Sequence, residues 1–197
     1  MGSTGTPEAP ARPDESSSQR RTERRWPPLA GVLALIAFVT LGARGIGAVS
    51  VTGPPVGFQG ILLVHPQPGW TERARSEEDG SHQLLLTKGA ARLSIFAIED
   101  TPWTPPELAL DYARSLSTEL SEFATDPPTA VTLASGGSAL RFGFVGVTTD
   151  GIAVQGEVTA SVTDRAVALV FEVQAQPGDL GWALDDTERM IDETEVL

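Results

Sequence analysis

Residues 29–43 read LAGVLALIAFVTLGA, with no charged side chain and nothing more polar than Thr40, and they divide the chain into two parts with different physical demands. As a helix this run spans roughly 22 Å, short of the ~30 Å hydrocarbon core of a bilayer; extended to residues 27–51 it reaches roughly 37 Å, enough to cross with some tilt. Arg44 then falls near the end of the span, where its long stem lets the guanidinium snorkel to the interface, so it marks the outer boundary. Arg20, Arg21, Arg24 and Arg25 precede the run, whereas no Lys or Arg follows Arg44 until Arg73. That asymmetry predicts a cytoplasmic N-terminus and an extracytoplasmic C-terminal part, with Trp26 at the inner membrane edge. A cleaved signal peptide has the same basic and apolar pattern, but Ile46-Gly47-Ala48 and Leu41-Gly42-Ala43 both put a bulky residue where cleavage prefers a small one. A lipid anchor is excluded because the chain has no cysteine.

The expected organisation is therefore a disordered cytoplasmic tail over residues 1–26, a transmembrane anchor over 27–51, a linker over 52–57 and an extracytoplasmic domain over 58–197. The tail holds Pro7, Pro10, Pro13 and a serine run, with no apolar period to bury. Beyond Arg44 the chain carries eight Lys and Arg against 22 acids, a net charge of −14. So acidic a domain is repelled by nucleic acid and by anionic membrane surfaces. Without disulfides it must be held by its core alone.

Pattern within the domain predicts an α+β fold, an antiparallel β-sheet with packed helices in the order β-β-β-β-α-β-β-β-β-α. Short strands are expected at 61–64 and 71–76, and a hairpin of 83–87 and 90–98 turns at Lys88-Gly89. Leu93 and Ile95 then face one side, Phe96 and Ile98 the other. Thr104, Pro105 and Glu107 form a T-x-x-E capping box with proline at the first helical position, and Trp103 and Leu108 are spaced as a hydrophobic staple. Leu108, Tyr112, Leu116 and Leu120 continue this helix to about Phe123. A four-stranded meander follows, over 130–134, 139–147, 152–162 and 167–173. In it Ile152, Val154, Val158, Ala160 and Val162 alternate with Gln155, Glu157, Thr159 and Ser161. Val167, Leu169, Phe171 and Val173 repeat the alternation, but Ala168 and Val170 make the opposite face partly apolar, so it too needs cover. Asp179 is placed to cap a final helix whose Leu180, Ala183, Leu184, Thr187 and Ile191 share one side.

Pro68-Gly69-Trp70 near the domain start, the capped helix after Pro102, the strands bearing Arg141, Gly146 and Gly151, and a terminal helix after Pro177-Gly178 occur in an order that resembles the PsbP/Mog-type fold, including the LpqN-like lipoproteins. The resemblance covers residues 58–196. It implies a binding role and supplies no catalytic residues, and the domain is expected to be a non-catalytic accessory to an envelope, transport or secretion assembly. The helical anchor in place of a lipidated cysteine departs from the lipoprotein members.

Neither histidine belongs to a nucleophile elbow: His65 lies before a proline at a strand end and His82 in a turn. The acids Glu77-Glu78-Asp79 and Asp185-Asp186 lack the alternating ligand spacing of a calcium loop, so no catalytic residue, metal or cofactor is expected. The polar sheet face with Arg141, Gln155, Glu157 and Thr159 is the expected surface for an envelope protein partner. Trp70 and Trp182 are the candidates for lining a cleft for lipid, while the staple accounts for Trp103. Protease added to intact spheroplasts should remove the domain from about Gly57 onward; survival of the domain until lysis would reverse the orientation.

Overall fold

The computed structural model describes residues 49, 50, 55–58, 60–78 and 80–197. The expected tail and nearly all of the expected anchor lie outside these residues, and among the described residues no helix is long and apolar enough to cross a membrane. In chain order the elements are β1 (Val49–Ser50), β2 (Val56–Phe58), β3 (Leu62–Val64), β4 (Thr71–Glu78), β5 (Ser81–Lys88), β6 (Ala91–Ile98), α1 (Pro105–Glu119), β7 (Ser121–Thr125), β8 (Thr129–Thr132), β9 (Ser138–Val147), β10 (Ala153–Val162), β11 (Ala168–Ala175), α2 (Leu180–Asp192) and β12 (Glu195–Val196). The fold is an antiparallel sheet with two helices, of the α+β class.

Tight turns make the sheet from hairpins. Gly80, Gly89 and Gly151 each sit at positive φ between paired strands, where a Cβ would be strained. The main sheet runs β1-β4-β5-β6-β11-β10-β9-β7, and β8 pairs with β9 beside β7. The seam between β6 and β11 joins the two hairpin groups, with Phe96 opposite Val170 and Ile95 opposite Phe171. A small sheet of order β12-β3-β2 accompanies it.

Period-two alternation sends side chains to two separate cores. Leu93, Ile95, Leu169, Phe171 and Val173 pack with Ala183, Met190 and Ile191 of α2 and with Phe58, Leu62 and Val64 of the small sheet. On the opposite face Phe96, Ile98, Phe142, Val158, Ala168 and Val170 pack under Leu108, Ala109, Tyr112 and Leu116 of α1. Cover for the second face of β11 is therefore α1. The helix starts as its capping residues require: the Thr104 backbone N–H donates to Glu107 Oε2 at 2.9 Å, and this hydrogen bond lowers the Glu107 pKa.

Most strand limits shift by one or two residues, and several elements differ more from the sequence expectation. α1 stops at Glu119 rather than near Phe123: Leu120 is extended (φ −104°, ψ 127°), and residues 121–125 pair with β9 instead. The outer edge of β9 offers these residues backbone partners that a helix running into Pro127-Pro128 could not keep. Gly146 makes the turn possible, since a Cβ there would stand 2.9 Å from Leu120 Cβ. Val49 and Ser50, assigned to the end of the anchor, pair with Glu72 and Thr71, and Val56-Gly57, assigned to the linker, belong to β2. Gly57 approaches β3 so closely that a Cβ would lie 2.1 Å from Leu62 O. At the other end β12 returns to pair with β3, and Asp179 makes no side-chain cap to α2.

Leu116 is 2% exposed beneath α1. Truncation by Leu116→Ala should cost about 2 to 5 kcal/mol in denaturant unfolding; a change near zero would remove this stripe from the core.

Candidate functional site

Arg141, Gln155, Glu157 and Thr159 do share one sheet face, because Thr159 stands opposite Arg141, Glu157 opposite Gly143 and Gln155 opposite Val145. That face is partly occupied by α2. Arg141 Nη1 donates to Glu188 Oε1 at 2.6 Å, and its Nε lies 3.2 Å from Glu157 Oε1 and 3.3 Å from Thr159 Oγ1. Arg141 thus ties two strands to the terminal helix, and Thr159 beneath it is buried. Burial raises the Glu157 pKa; Arg141 opposes that rise and Glu188 adds to it. Beyond α2 the face opens: Gln155 is half-buried, and Val145 is 50% exposed, with Ile152 at 47% in the adjoining turn.

Trp70 and Trp182 also meet, with ring centroids 6.4 Å apart. Trp70 has no exposed surface, and its indole N–H donates to Asp186 Oδ2 at 3.0 Å. Lys88 Nζ donates to the same oxygen at 2.7 Å and lies 5.5 Å from the Trp182 ring centroid. Burial alone would raise the Asp186 pKa, but the hydrogen bonds from Lys88 and Trp70 outweigh it and hold it low. The pair forms a latch between α2 and β5, and Trp103 packs beside the α1 core. Each histidine faces a carboxylate, His65 with Glu195 at 3.5 Å and His82 with Glu99 at 3.0 Å. Among the described residues no group of three His, Cys, Asp or Glu side chains could hold a metal ion.

The most polar buried region lies on the other face, under α1. Arg92 stands opposite Gln174 and Ser94 opposite Glu172 across the β6–β11 seam, which places four polar side chains at adjacent positions. Ser94 is 0%, Glu172 1% and Gln174 3% exposed. Tyr112 reaches down from α1 to donate its hydroxyl to Glu172 Oε2 at 2.5 Å, and Arg92 Nη2 lies 3.5 Å from Glu172 Oε1. Burial first, then Glu172, push the Tyr112 phenol well above its ordinary pKa, so it stays neutral and donates. Glu119, seven residues further along α1, is half-buried; burial and the nearby Glu172 raise its pKa to about 7, against a smaller lowering by Arg92. Of the six buried side-chain atoms among the described residues that lack a hydrogen-bond partner within the protein, four belong here: Arg92 Nε, Ser94 Oγ, Glu172 Oε1 and Gln174 Nε2; a fifth, Gln83 Oε1, lies opposite Phe96 on the neighbouring strand. Sequence reasoning missed this cluster, although Glu172 and Gln174 stood at positions of β11 whose face needed cover.

No protein-family model matches the sequence, and no curated protein matches it. Among solved structures, LpqN of Mycobacterium tuberculosis, described as involved in cell envelope biogenesis, superposes with a TM-score of 0.51 at 16% identity, over 72% of this chain and 88% of LpqN. The domain has an LpqN-like fold. A Bacteroides thetaiotaomicron protein gives a TM-score of 0.51 at 11% identity over 75% of this chain, which spans about half (49%) of that protein's length. Cyanobacterial PsbP (CyanoP) of Synechocystis gives 0.49 at 12% identity, over 77% of this chain and 99% of CyanoP. At these identities the LpqN likeness is one of backbone architecture. The LpqN-type resemblance carried by Pro68-Gly69-Trp70 and the capped helix thus extends to the sheet and its two helices.

The raised Glu119 pKa has a pH signature. Its folded-state value of about 7 exceeds the ordinary 4.5, so the folded chain holds this proton more tightly than the unfolded chain. The resulting stability is present in full below the ordinary value and is lost as pH rises toward 7. Solvent screening of a half-buried carboxyl reduces the loss to about 1 to 2 kcal/mol. Urea unfolding at low and at slightly alkaline pH should show Glu119→Gln gaining on the parent by that amount as pH rises; a pH-independent difference would refute the assignment.

Proposed function

We propose that this domain is a non-catalytic accessory module of the cell envelope, held outside the cytoplasm by the apolar span at residues 27–51, and that it docks a protein partner on the β9–β10 face beyond α2. The observation that carries the reading is half-exposed Val145, which shares its sheet face with exposed Ala153, an apolar pair rimmed by Gln155 and Glu157 on a sheet that α2 and α1 otherwise roof. Such a patch with a polar rim is the usual anatomy of a protein interface. The envelope role of LpqN, which has the same architecture, supports the placement. A membrane tether would raise the effective concentration of the module for partners in the same membrane, so modest affinity would suffice.

Photo-cross-linking from position 155 in intact cells tests this. Reproducible protein cross-links should form and should be lost on Val145→Asp with thermal stability unchanged. Co-purifying lipid without any protein cross-link would favour the alternative, a carrier of lipid or another apolar envelope component, and overturn the docking reading.

A further inference from the structure

The buried polar cluster under α1 plays no part in docking on the opposite face, and its chemistry points to a ligand of its own. We propose that Arg92, Ser94, Glu172 and Gln174, roofed by Tyr112 and Glu119, bind a small zwitterion of the α-amino-acid type, carboxylate toward Arg92 and Gln174 and ammonium toward Glu172 and Ser94.

The sheet register sorts the unpartnered groups by kind. Arg92 Nε and Gln174 Nε2, both donors, occupy one cross-strand pair, and Glu172 Oε1, an acceptor, and Ser94 Oγ, a hydroxyl that can accept as well as donate, occupy the next pair on the same face. Neighbouring same-face pairs lie about 7 Å apart along the strands, close enough for converging side chains to hold the two ends of one small molecule. Buried groups that lack partners cost stability, so each is held by the fold against a penalty that a complementary solute would relieve. Loose ionic contact within the cluster has the same meaning. Arg92 and Glu172 approach only to 3.5 Å, leaving the guanidinium Nε and one carboxylate oxygen unbonded. A carboxylate accepts side by side from a guanidinium and an amide, and an ammonium donates to a carboxylate and a hydroxyl, which matches this inventory atom for atom. Glu119 adds a second carboxylate near enough to be influenced by both Glu172 and Arg92. Arg92, with 24% of its side chain exposed, and half-buried Glu119 are the members of this group that reach solvent. Arg73 stands further out on the same edge, where its Nε donates to Thr87 Oγ1 at 3.0 Å.

Titration calorimetry and thermal melts of the full-length chain with the common L-amino acids, tested singly at millimolar concentration, decide the matter. At least one should bind saturably and raise the melting temperature. Its methyl ester, which lacks the carboxylate, and its N-acetyl derivative, which lacks the ammonium, should both fail. Ser94→Ala removes a hydroxyl, and Gln174→Leu an amide nitrogen, that have no partner within the protein, so both should leave the fold intact while weakening binding about tenfold each. Binding should also pull the Glu119 titration midpoint, followed by carboxyl NMR, below about 7. Absence of saturable binding by any amino acid, equal binding of the ester or N-acetyl form, or unchanged affinity in both variants would overturn the proposal and leave ordered water as the occupant.

Discussion

β11 is buried along its whole length, and that constraint governs the rest of the molecule. A strand with water on neither face needs a roof on each side, and its alternate residues must meet two different partners. Leu169, Phe171 and Val173 take α2 and the small sheet; Ala168 and Val170 take α1. Remove either roof and half of the strand is exposed, so neither helix is an appendage. The strand on one side inherits the same demand: the hairpin β5–β6 contributes Leu84, Leu86, Leu93 and Ile95 to one core and Phe96 and Ile98 to the other, whereas β9–β10 gives its buried apolar side chains to the α1 core.

The two roofs are fastened differently. α2 packs Ala183, Met190 and Ile191 into its core and is further held at two surface-proximal charged junctions, Arg141 to Glu188 and Lys88 to Asp186, with the Trp70 indole completing the second. Ion pairs of this kind set position more than they add stability, because part-exposed charges are screened. α1 is held by apolar packing and by one deeply buried hydroxyl-to-carboxylate contact between Tyr112 and Glu172. A buried carboxylate is costly to desolvate and is tolerated only with partners. Here one oxygen accepts a hydrogen bond from Tyr112 and the other has only the longer ion pair with Arg92, and this imbalance sets the site under α1 apart from the fasteners on the opposite face.

Most of the sheet was legible in the sequence because alternation is a local signal. The division of Leu93 and Ile95 from Phe96 and Ile98 holds in three dimensions, and so does the shared face of Arg141, Gln155, Glu157 and Thr159. What lies over a face is a tertiary fact. Nothing near Arg141 announces that Glu188, far along the chain, will bond to it and take half of that surface. The termini of elements were hardest for the same reason: Leu120 obeys the helical stripe, yet the edge of β9 wins the residues after it. For the cluster under α1 a signal was present but unread, since charged Glu172 and polar Gln174 continued a face on which Ala168 and Val170 required burial.

The strand order also has a kinetic meaning. β4 through β6 and β9 through β11 are each joined by tight turns, so within each group contacts form between near neighbours in sequence. Only the β6–β11 seam brings the groups together, and α1 with four strands lies in the intervening chain. Closing that long loop costs entropy before any seam contact repays it. Folding should therefore divide into fast assembly of two hairpin blocks and one slower docking step between them, with both cores, and the site under α1, completed only when the seam closes.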